Sequence, residues 1–177
     1  FRLSLGGLNN KGVMPNTKTN QKSINLNTNY RLTSNIRISV SASYINTYSP
    51  NKANTTGSNS VLNGLLFNIP SNLQPLSDMT NYWLTGYEGI QQNGAIMRDN
   101  GVDVGTDNPW WVTNERINRF GRDNFFGKIQ LDWQLSKPVS LMVRTGMENV
   151  KEQYEYRQSW GKTAMKDKFK NGDGQYT

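Results

Sequence analysis

The 177 residues are only 34% hydrophobic, they hold no cysteine and no histidine, and they carry a formal net charge of +7. That inventory removes disulfides, thiolate metal sites, the commonest metal ligand and the commonest general base, so catalysis by the usual groups is not expected and no cofactor or metal is implied. The basic residues are scattered and none clusters beside a nucleic-acid-binding motif, so no nucleic-acid partner is expected and the charge reads as solvated.

The chain opens on Phe1-Arg2-Leu3-Ser4-Leu5, which already alternates like a strand, with no initiator Met or signal peptide, so the N-terminus reads as the middle of something longer. The first strand is expected over about 1–8. From about 21 to 32, Ile24, Leu26, Thr28, Tyr30 and Leu32 alternate with polar residues. Thr33-Ser34-Asn35 then supplies turn chemistry. From 36 to about 48, Ile36, Ile38, Val40, Ala42 and Tyr44 alternate with Arg37, Ser39, Ser41 and Ser43 without a fault, which predicts a hairpin. A second hairpin is predicted from strands over 125–135 and about 139–157. Phe125, Ile129, Leu131, Trp133 and Leu135 share one parity of its first strand, and Val139, Leu141, Val143 and Met147 one parity of its second, around Ser136-Lys137-Pro138.

Between the hairpins lies a long loop, about 46–124. It begins with the polar Asn51–Ser60 stretch. Val61, Leu62, Leu65, Leu66 and Ile69 then recur at helical spacing after Ser60, a candidate N-cap, and predict a short helix ended at Pro70. Asn54-Thr55-Thr56 fits a glycosylation pattern, a short motif that carries little weight here. Asp99, Asp103, Asp107 and Asp123 do not have the spacing of a calcium loop and read as solvated carboxylates.

Strand and connection lengths choose between two all-β readings. Thirteen residues from 36 to 48 span about 43 Å, of which a 45° tilt leaves about 30 Å along a membrane normal, enough for an apolar band of about 25 Å. Connections of about 12, three, about 75 and three residues alternate long and short, as extracellular loops and periplasmic turns do in an antiparallel transmembrane β-barrel. Tyr30 and Trp133 each lie three residues before a short turn on the apolar parity, where an aromatic girdle is expected. On this reading Ile36, Ile38, Val40, Leu131, Trp133, Leu141 and Val143 face lipid, and Arg31, Arg37, Lys128, Asp132, Arg144 and Glu148 face the lumen. No stretch approaches the roughly 20 apolar residues of a spanning helix, and a mean hydropathy of -0.73 is no obstacle to a barrel. Five strands do not close one, so further chain is expected to complete it.

The order of short motifs then carries a likeness. Lys11-Gly12-Val13-Met14-Pro15-Asn16 follows the first strand, and Ile69-Pro70 and Pro75-Leu76 follow the predicted helix. Asn108-Pro109-Trp110-Trp111, Arg122-Asp123-Asn124-Phe125-Phe126-Gly127 and Gly146-Met147-Glu148 complete the series. This arrangement, along nearly the whole chain, resembles the barrel of SusC/RagA-family TonB-dependent receptors. The resemblance implies a fragment of a barrel of about 22 strands in the outer membrane of a bacterium of the Bacteroidetes type. It also implies nutrient uptake, with import of oligosaccharides or peptides energised through the TonB complex, and partnership with a SusD-like lipoprotein. The plug and TonB-binding segments that belong to that function are not within these residues. Tyr82, Trp83, Trp110 and Trp111 are the candidate contacts to a glycan or peptide substrate or to the lipoprotein, since aromatic faces bury large area at low entropic cost. The same aromatics also suit packing of the loop onto itself. Two other readings stay open: a non-transporting barrel acting as scaffold in an outer-membrane complex, and a soluble carbohydrate-binding β-sandwich.

Overall fold

The computed structural model describes residues 1–53, 80–93, 98–99, 102–103, 107–161 and 175–176. The predicted helix after Ser60 and the Pro75-Leu76 motif lie outside those residues, as do the side chains of Asp99 and Asp103. Strands β1 (Arg2–Lys11), β2 (Lys18–Arg31), β3 (Ile36–Asn51), β6 (Arg116–Ser136), β7 (Val139–Gln158) and β8 (Gln175–Tyr176) form one sheet in the order β1-β2-β3-β6-β7-β8. The two-residue strands β4 (Arg98–Asp99) and β5 (Val102–Asp103) make a separate antiparallel pair, and α1 covers Pro109–Glu115. The protein is therefore mostly antiparallel β-sheet, with both predicted hairpins in place. No described helix is long and apolar enough to cross a membrane.

The strands outrun their expected ends. β6 spans 21 residues and begins at Arg116, and β3 runs on to Asn51. Polar side chains dominate both extensions, but the backbone finds partners there, as in the hydrogen bond from the Lys52 N–H to the Asn118 carbonyl (2.7 Å). Ladder pairing therefore overrides weak local propensity.

The chain divides into two compact units. The first comprises residues 1–10, 19–48 and 120–153; the second comprises 11–18, 49–119 and 154–177.

In the first unit the short turns set the register. The Leu32 N–H donates to the Ile36 carbonyl (2.9 Å), and the Gln134 N–H donates to the Asn35 carbonyl (2.8 Å). Side-chain bonds join residues of like parity: Ser43 donates to Asn25 (2.6 Å) and Arg144 to Gln130 (3.0 Å) on one face, while Tyr44 and Asn46 reach Asp123 (2.7 and 2.8 Å) on the other. Alternation along each strand has thus become two faces of a sheet, one mainly apolar apart from the Asn46–Asp123 contact and one mainly polar.

Among the described residues the apolar face of the first unit holds no buried side chain. Among the described residues the sole buried hydrophobic side chain is Trp111, which belongs to the second unit. Trp133, Leu141 and Val143 are exposed at 41%, 44% and 52%, and Ile36, Ile38, Val40 and Leu131 are half-buried. Burial of apolar surface is the main driving force of folding in water, and in this unit it is largely unspent.

The second unit is organised differently, around the N-terminus of α1. Asn108 is the N-cap, its side-chain oxygen accepting from the Trp110 N–H (2.9 Å), and Pro109 occupies the first turn, where its missing N–H costs nothing.

Candidate functional site

Two polar constellations stand out, one in each unit. In the second, the buried amide of Gln92 joins separated stretches of chain. Its nitrogen donates to Asp107 (2.8 Å) and to the Gly161 carbonyl (2.6 Å), and its oxygen accepts from the Asn108 N–H (2.7 Å). Asp107 pairs with the Arg116 guanidinium at 2.8 Å, with side chains 9% and 4% exposed, so the pair is nearly dry. Arg116 also donates to Gln158 (3.1 Å), which accepts from the Tyr156 hydroxyl (2.9 Å). Buried charge is tolerated here because the guanidinium and both carboxylate oxygens are engaged.

Trp111 completes the arrangement. It is fully buried, with the Arg116 guanidinium 5.7 Å from its ring centre and the Trp83 ring edge-on at 6.4 Å. Tyr82 tilts against Trp83 at 5.8 Å, and its hydroxyl lies 3.5 Å from Glu115. Asn16 and Asn51 both donate to the Thr113 carbonyl (3.1 and 3.0 Å), and Ser159 donates to Glu115 through both its backbone and its hydroxyl. Burial raises the Tyr82 hydroxyl pKa, with the Glu115 carboxylate adding to it. Burial also raises Tyr156, where Arg116 opposes the shift and Asp107 reinforces it.

What this knot does chemically is fasten loops. The cavity beside it, bordered by Met14, Asn51, Lys52, Arg116 and Tyr156, measures about 30 Å³, room for a water and far too small for a sugar ring. Gly161 fits only as glycine: its φ is +100°, and an added Cβ would lie 3.0 Å from the Gln92 nitrogen and 3.1 Å from the Ile90 carbonyl. Replacing Asn108 by alanine is expected to cost about 1 kcal/mol through loss of the cap, measured as earlier urea-induced opening of the second unit.

Of the four aromatics expected at a contact surface, Trp111 is withdrawn inside the knot, and Tyr82, Trp83 and Trp110 are half-buried. More exposed aromatic surface in this unit comes from residues that the motif reading passed over, Tyr154 at 59%, Tyr87 at 54% and Trp160 at 52%. Tyr87 sits in a tight turn flanked by Gly86 and Gly89, both at positive φ. That Gly-x-x-Gly spacing was the available signal. Trp160 precedes Gly161.

At the end of β7, Glu155 is gripped by Arg119 (3.2 Å) and by Arg157. Desolvation pushes this carboxyl up, but hydrogen bonds and attraction from Arg119 and Arg157 outweigh it and hold the pKa below the usual glutamate value. A lowered folded pKa stabilises above the ordinary glutamate value, and that contribution is lost as the pH falls through the lowered one. Glu155→Gln should therefore abolish a small acid-side slope in stability that the wild type shows below about pH 4. All three groups are solvent-accessible, so the effect is small.

The second constellation lies on the polar face of the first unit. Arg31, Arg37 and Asp132, three of the residues expected to line a lumen, border a shared concavity of about 650 Å³ together with Asn29, Ser39 and Gln130. The Gln130 amide donates to both oxygens of Asp132 (2.9 and 3.0 Å), and Arg144 donates to Gln130. Lys128 and Glu148 share the parity of this face on β6 and β7. Among the described residues no group of three or more acidic side chains is placed to hold a metal ion. Asp107 and Asp123 are committed to the partners already given.

No family model and no curated protein matches the chain.

Proposed function

We propose that this chain forms part of an outer-membrane β-barrel of the SusC/RagA type, which imports oligosaccharides or peptides with energy relayed by the TonB complex and with a SusD-like lipoprotein at the cell surface. One observation carries the membrane placement: a sheet of long strands with an apolar parity and a polar parity, whose apolar side chains in the first unit are nowhere buried among the described residues. Such side chains need lipid or another hydrophobic cover. A β-sandwich would instead pack that face beneath a second sheet, and among the described residues of the first unit no hydrophobic side chain is buried. The family-level reading adds the motif order of the sequence, from Lys11-Gly12 to Gly146-Met147-Glu148.

The test uses the full-length protein in its own cells. Deleting its gene should abolish growth on the oligosaccharide or peptide it imports, and blocking TonB energy coupling should have the same effect. Uptake that survives the deletion while a neighbouring membrane complex falls apart would favour the scaffold role. Monodisperse behaviour of the full-length protein without detergent would remove every membrane reading.

A further inference from the structure

We infer that Arg31 and Arg37 form an anion-binding subsite on the polar face of the sheet, built for a small solute bearing carboxylate, sulfate or phosphate groups, such as an acidic oligosaccharide. The hairpin bond from the Leu32 N–H to the Ile36 carbonyl puts Arg31 directly across from Arg37 on neighbouring strands. Like charges in that position repel and destabilise a sheet. Such a pair is tolerable where water or an anion supplies the missing negative charge.

The carboxylate nearest to hand offsets only one of the two positive charges and bonds to neither guanidinium. Asp132 borders the same concavity, yet both its oxygens accept from the Gln130 amide, and Gln130 is bonded in turn to Arg144. Among the described residues neither Arg31 nor Arg37 pairs with a carboxylate. Both guanidinium groups are exposed, and the concavity they border is also lined by Asn29, Ser39, Gln130, Asp132 and Tyr30. Guanidinium presents a planar fork of donors that matches carboxylate, sulfate and phosphate oxygens two at a time, and it stays charged at any physiological pH. Asn29 and Ser39 add the neutral donors and acceptors that hydroxyl groups of a sugar would meet. The concavity is broad and open to solvent, a surface along which a sugar chain can lie.

The inference deepens the importer reading by giving its cargo a charge. It needs only that the polar face be wet, which is equally true of a soluble protein, so the two claims fail separately. Full-length protein in detergent is titrated calorimetrically with trigalacturonate and with the neutral galactose trimer. The expected result is at least tenfold tighter binding of the charged trimer, weakened at least fivefold in R31Q/R37Q and by 0.5 M salt, roughly the response of a two-contact ionic site. It should be unchanged in the charge-matched control K22Q/K151Q. Without ligand, R31Q/R37Q should melt no lower than the wild type, because repulsion has been relieved. Equal affinity for the two trimers, or wild-type affinity in R31Q/R37Q, overturns the inference. So does failure of an Arg37→Cys variant to react with a small thiol reagent, which would mean that another protein segment already fills the concavity.

Discussion

Replacing Val40 by arginine should cost the protein about 2–4 kcal/mol when it is folded into lipid vesicles, while arginine at the adjacent Ser41 should cost close to nothing. The two positions are neighbours in sequence, share one strand and differ only in parity. Val40 belongs to the half-buried row with Ile36 and Ile38 on the apolar parity, and Ser41 to the row with Arg37 and Ser43 on the polar face. A charge near the middle of the apolar band must lose its hydration or drag water and headgroups inward, whereas one on the polar face stays solvated. Denaturant titration of the full-length protein in vesicles measures the difference. Equal costs at the two sites would mean that the apolar parity does not meet lipid, and the transporter reading would lose its physical basis.

The second large effect is expected in the other unit. Trp111→Ala should destabilise the second unit by about 3–5 kcal/mol, the usual range for emptying a buried aromatic site. The loss goes beyond the ring itself. The Trp83 edge contact disappears, and the Arg116 guanidinium loses the π-face beneath it while remaining paired to Asp107. Amide hydrogen exchange should accelerate sharply at 80–93 and 108–116, with the strand amides of the first unit unaffected. Uniform acceleration through both units would show that they unfold together and that Trp111 is not a local pin.

These two sites also show what sequence makes legible. The Val40 row was readable because period two is a local pattern, and nothing in the fold had to be known to see that Ile36, Ile38 and Val40 share a face. Strand ends were less readable. Arg116, Asn118, Arg119, Arg122 and Asp123 have the composition of a loop, and they are strand because β3 and β7 extend alongside them. The cap of α1 could have been found from Asn108-Pro109, since a capping side chain before a proline is a helix-start signal. The knot itself could not. Gln92, Asp107, Arg116 and Gln158 are joined across as many as 69 positions of chain, counting the bond from Gln92 to Gly161, and no local pattern announces which glutamine will be buried. Trp111 was singled out for its chemistry, and burial gives it a different role from the surface contact that its type suggests.

An apolar face without a buried side chain among the described residues also has a bearing on the time before the protein reaches its destination. Five consecutive residues, Val139–Val143, hold four apolar side chains and a single serine, and in water such a window would readily zip onto the same window of a second copy. Lys137 and Pro138 stand immediately before it and Arg144 immediately after, a charge and a non-donating ring at one border and a charge at the other, the kind of flanking residues that discourage intermolecular strand pairing. The same Arg144 that bonds to Gln130 in the folded sheet would thus act as a gatekeeper while the strand is still unpaired.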